Sequence, residues 1–117
     1  MLEEKAKELG RLIGQSPEYQ ALKRSSEGLN EDRDAVALLK EMERLRGEAQ
    51  QMIQRGENPT PEMEQQLDSM LEKIQIQPAY QRAVTAQENF DKVMMRVNQW
   101  IMDGMKKGAA SPIITLG

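Results

Sequence analysis

The chain has 117 residues, enough for one domain with a modest core, and it carries 16 basic and 19 acidic side chains, a net charge of −3, and neither histidine nor cysteine. The two absences remove the commonest catalytic bases, nucleophiles and transition-metal ligands, and they exclude a disulfide framework. The acidic balance argues against nucleic acid as the principal partner, because phosphate binding needs a concentrated positive field.

Leu2, Ala6, Leu9 and Ile13 recur at helical spacing and predict a short amphipathic helix that stops at Gly14, a residue suited to the left-handed conformation that closes helices. Ser16-Pro17-Glu18 restarts the chain as a second helix: a capping hydroxyl, a proline at the first helical position and an acid at the positive end. This helix is expected to end near Gly28, and its apolar face is thin, made of Tyr19, Leu22 and Leu29.

A third helix starts at Asn30 or Asp32 and runs to about Gln54. Its heptad stripe is Ala35, Leu38, Met42, Leu45, Ala49 and Met52, widened by Leu39 and Ile53. Gly56-Glu57-Asn58-Pro59-Thr60 is the clearest turn, and its shortness makes the third and fourth helices antiparallel neighbours. The fourth helix begins at Thr60 and Pro61, with Met63, Leu67, Met70, Leu71 and Ile74 on one face. Pro78 predicts a tight turn into a fifth helix, which reaches about Lys106 and carries Ala79, Ala83, Ala86, Phe90, Val93, Val97 and Trp100 at heptad spacing. Pro17-Glu18-Tyr19-Gln20 and Pro78-Ala79-Tyr80-Gln81 echo each other, and both read as proline-initiated helix starts.

These elements predict an all-α fold, an antiparallel helical bundle of about five helices with long third and fifth helices. The expected organisation is a single helical domain over 1–107 and a flexible C-terminal tail over 108–117. The fifth helix, about 40 Å long, outruns the fourth, at about 22 Å. Helices one and two are expected to cover part of its stripe with their small apolar faces, and the remainder, with Phe90, Met94, Val97, Trp100 and Ile101, is the candidate interface with another subunit, giving a homo-oligomer, a dimer or higher. Nine methionines suit such an adaptable contact surface.

Other chemistry is poorly supported. Asn30, Asp32, Asp34 and Glu41 fall at ligand positions of a calcium loop, but Ala35 stands where that loop needs glycine, so they read as an acidic helix start. Paired acids such as Glu62 and Glu64 do not converge on a helix, and no phosphate-binding glycine loop or nucleophile elbow occurs. No catalytic, cofactor-binding or metal residue is assigned. A second reading is a small RNA-binding helical protein using a basic patch of Lys92, Arg96, Lys106 and Lys107 near the end of the last helix. No apolar run approaches the ~20 residues that span a bilayer, and Met1-Leu2-Glu3-Glu4-Lys5 lacks the pattern of a signal peptide, so the expected location is the cytoplasm without membrane insertion.

The stretch from Ala6 to Lys23, with its Leu9-Gly10 and Ser16-Pro17-Glu18-Tyr19 marks, resembles the opening of the bacterial YlbF/YmcA family. The likeness continues through Asp34-Ala35, the Gly56 turn and Pro78-Ala79-Tyr80-Gln81-Arg82-Ala83, over about residues 1–106. The resemblance implies a small cytoplasmic all-α regulator, not an enzyme, that self-associates or joins a regulatory protein partner. It also implies a role with a ribonuclease in RNA processing, and through it in competence, sporulation or biofilm development. Some members carry cysteines linked to an iron–sulfur cluster; this chain has none, so no cofactor is carried over.

Overall fold

The computed structural model describes residues 1–110. It is all-α, with five helices in chain order: α1 (Leu2–Gly14), α2 (Pro17–Glu31), α3 (Arg33–Gln54), α4 (Pro61–Gln75) and α5 (Pro78–Ala109). The turn expected at Pro78 is present, since Ile76 and Gln77 separate α4 from α5 and Pro78 opens the latter. Helix α5 includes Gly108 and Ala109; the rest of the expected tail, 111–117, lies outside the described residues.

The helix ends follow local chemistry. Ser16, Asp32 and Thr60 each take an extended conformation and accept a hydrogen bond from the backbone N–H three residues on, at Tyr19, Ala35 and Met63. Gly56, with φ +81°, closes α3 while the Glu57 N–H donates back to the Met52 carbonyl at 2.8 Å, a left-handed glycine stop. Helix α1 ends at Gly14 as expected, but Gly14 has no positive φ; the end is made by Gln15, whose N–H reaches the Arg11 and Leu12 carbonyls. Gly28, in contrast, does not end α2, which continues to Glu31 and so carries Leu29 into the core.

Two joints share one device. Gln20 donates its amide to the carbonyl of Gly14, the last residue of α1, at 2.8 Å. Gln81 does the same to Gln75, the last residue of α4, at 2.7 Å. The Pro-x-Tyr-Gln echo is thus more than a pair of helix starts. In each copy proline opens the new helix and glutamine ties it to the end of the old one.

Packing divides into two parts. Ala35, Met42 and Ile74 form the buried cluster between α3 and α4, joined by Leu29, Leu38, Leu39, Met70, Leu71 and Tyr80. Ile53, expected to widen this face, is 61% exposed; in the last turn of α3 it is Met52 that is half-buried. The closest helix pair is α2 with α5, not α4 with α5. Tyr19 meets Phe90 in a tilted aromatic pair with ring centroids 5.6 Å apart, while Arg24 and Ser25 face Pro78, Gln81 and Arg82, so α2 runs antiparallel to α5. Ala21 on α2 and Ala86 on α5 both line this seam, and side chains this small leave room for two helices to pack closely. The result is long and flat, 66 × 37 × 19 Å, with a radius of gyration of 21.4 Å against ~13 Å for a compact domain of this length.

Candidate interaction surface

Helix α5 is ~48 Å long and α2 only ~22 Å, so α2 covers its first half and runs out near Phe90. The five side chains singled out in α5 fall on either side of that limit. Phe90 is half-buried against Tyr19, Met94 is half-buried, and Val97 is buried within the chain. Trp100 is 65% exposed and Ile101 44% exposed. Met95, Met102 and Met105 are also exposed, so the distal arm of α5 presents an aromatic ring and flexible thioethers to solvent. Trp100 thus faces solvent rather than the core.

Helix α1 adds to this apolar surface. It buries none of its residues, and its closest neighbour is α2. Leu9 and Ile13, next to the joint, are half-buried, while Ala6 and Leu2 face solvent. Composition and hydropathy pattern mark α1 as amphipathic, yet they do not say whether its stripe is covered by its own chain.

The polar candidates do not assemble into a site. Asp32 caps α3 and Glu41 pairs with Arg44, so the calcium-loop residues serve the helix. Among the described residues no cluster of three acidic side chains could hold a metal ion. The hydrogen bond from Arg44 holds the Glu41 carboxyl below the usual carboxylate range, and the same partner raises the Arg44 guanidinium; both sit on the surface. Lys7 pairs with Glu3 at 2.8 Å as their spacing suggests, whereas Glu88 and Lys92 form no ion pair among the described residues. Lys92, Arg96, Lys106 and Lys107 are exposed, with Asp91 and Asp103 exposed on the same helix. An open groove of about 570 Å³ runs beside the α2–α5 seam, and its lining includes Ala21, Ser25, Gln81, Ala86, Arg24 and Arg82. No described helix is long and apolar enough to cross a membrane.

Among its described residues the molecule is all-helical and leaves the distal arm of α5 open to solvent. The chain matches the family described as control of competence regulator ComK, YlbF/YmcA, over residues 2–106, and it belongs to that family. A UPF0342 protein of Streptococcus mutans is 37% identical over 83 residues, covering 71% of this chain and 74% of the relative. Another, of Streptococcus gordonii, is 29% identical over 98 residues, covering 84% and 88%. The fold is similar to that in the crystal structure of Bacillus subtilis RicA in complex with RicF, with a TM-score of 0.79 over 92% of this chain and 96% of that one, at 15% identity. The family is one of regulators and of proteins without an assigned activity, not a known enzyme family.

Proposed function

We propose that this protein is a non-catalytic regulatory adaptor of the cytoplasm that acts by self-association and by docking a regulatory protein partner, modulating RNA processing by a ribonuclease and, through it, competence, sporulation or biofilm development. The observation that carries the reading is the α5 arm beyond Val97, where Trp100 and Ile101 face solvent past the end of α2. Phe90, Met94 and Val97 root the arm in its own chain, and Trp100 and Ile101 present it. Membership of a competence-regulator family, and the likeness to a protein crystallised with a partner, agree with an adaptor. The interspersed acids on α5 give less support to RNA contact through Lys92, Arg96, Lys106 and Lys107. Light scattering tests the reading. The parent chain gives a dimer or larger species, and Trp100→Ala shifts it to monomer with helicity kept. A parent that stays monomeric at high concentration, or a mass unmoved by Trp100→Ala, overturns this surface.

A further inference from the structure

Two apolar faces are bare in this chain, and they match each other. On α1 the stripe Leu2, Ala6, Leu9, Ile13 loses cover with distance from the α1–α2 joint, until Leu2 is 85% exposed. On α5 the stripe loses cover beyond Val97, where Trp100, Ile101 and Met105 are exposed. Both helices leave from the same end of the α2–α5 seam, the end marked by the Tyr19–Phe90 pair. Helix α1 and the α5 arm from Val97 to Ala109 are each ~20 Å long. Charge fits one alignment. The first turn of α1 is acidic, with Glu3 and Glu4, and the last turn of α5 is basic, with Lys106 and Lys107. Glu4, Lys106 and Lys107 form no ion pair among the described residues. Gly104 lies two turns beyond Val97 on the same face, with open space where a side chain would stand, so another helix backbone can come close there.

We propose that two copies of the chain pair reciprocally, with α1 of each lying antiparallel on the α5 arm of the other. The proposal rests on the self-association reading above and names its geometry. An antiparallel alignment places Leu2 beside Met105 and brings Glu3 and Glu4 to Lys106 and Lys107; a parallel one sets Arg11 against those lysines instead. Within one chain the far ends of both stripes, Leu2 on α1 and Trp100 to Met105 on α5, stay uncovered, whereas a two-fold pairing covers both and makes every contact twice.

The chain has no cysteine, so introduced thiols report without background. The experiment joins Leu2→Cys and Met105→Cys in one chain, both at exposed positions, and oxidises it with air after far-UV circular dichroism has verified its helicity. The expected product is a covalent dimer held by Leu2→Cys to Met105→Cys bridges between chains, identified by peptide mass after mixing isotopically labelled and unlabelled protein. Single variants are expected to cross-link poorly. A bridge within one chain overturns the proposal, because α1 then covers its own arm. An oligomeric mass without the bridge overturns this pairing and leaves self-association standing. A monomeric mass for the parent chain overturns both.

Discussion

At the α3–α4 end of the molecule Ala35, Met42, Leu45 and Ile74 are buried, whereas Leu2 and Leu12 on α1 and Trp100 and Met105 on α5 face solvent. The side chains are of the same kind and recur at the same helical spacing. The difference lies in what the chain delivers to each stripe. The short turn at Gly56 returns α4 along α3, so that stripe meets its cover within the same hairpin. Helix α2 is less than half as long as α5 and runs out near Phe90, and beyond Val97 the side chains Trp100, Ile101 and Met105 stay exposed. A heptad pattern states that a face needs covering; helix length and connection decide whether the chain covers it itself.

The largest effect expected from this contrast comes from truncating the two stripes in turn. Ile74 is fully buried, and Ile74→Ala costs about 2–5 kcal/mol of folding stability. Leu2→Ala shifts stability by only about 0.5 kcal/mol in the dilute, dissociated chain. At high concentration Leu2→Ala loses the stabilisation that association adds. Urea unfolding followed by circular dichroism at two protein concentrations measures all three. Equal costs in the dilute chain would break the comparison.

A smaller effect tests the two glutamine joints. Gln81→Ala removes the bond to Gln75 at the end where Tyr80 packs on the core, and is expected to lower global stability by about 1 kcal/mol. Gln20→Ala removes the matching bond to Gly14. Its expected result is faster amide exchange in α1 with little change in the unfolding midpoint, because α1 buries nothing that the rest of the chain depends on. A midpoint lowered as much by Gln20→Ala as by Gln81→Ala would show that α1 is an integral part of one cooperative unit.

Much of the fold is legible in the residues. Ser16, Asp32 and Thr60 announce their helices, Pro17, Pro61 and Pro78 open them, and Gly56 closes α3, because these are local effects with local causes. The partnership of α2 with α5 is legible only in part: the excess length of the fifth helix leaves room for the first two, but apart from Tyr19 and Leu22 the α2 face offers small side chains such as Ala21 that carry no stripe. The end of α2 is misplaced by reading Gly28 as a stop, while α1 does end at Gly14; glycine permits a left-handed turn, and among the described residues only Gly56 takes it. The Pro-x-Tyr-Gln echo carries a signal in its glutamine, whose bond crosses a joint and has no helical period. Of the candidate surface, the stripe is legible, but the division between Val97, buried, and Trp100, open, depends on where α2 ends.

The smallest expected effect concerns the charged outer face of α3, where Arg44 bonds to Glu41 and also to Glu48, at 2.6 Å. Arg44 lowers the Glu41 pKa in the folded chain, so folding favours the carboxylate. That contribution is fully present above the ordinary glutamate value of about 4.3 and fades as the pH falls through the lower folded value. The parent chain should therefore lose thermal stability relative to Glu41→Gln across that acidic window, and the two should converge once both carboxyl states are protonated. The shift should be slight, because the pair is exposed and screened by water and salt. Melting curves between neutral and strongly acidic pH give the answer. A large loss on acidification that Glu41→Gln abolishes would mean that the α3–α4 end is held by surface charge as much as by the burial of Met42, Leu45 and Ile74, and the contrast between the two ends would no longer rest on apolar cover alone.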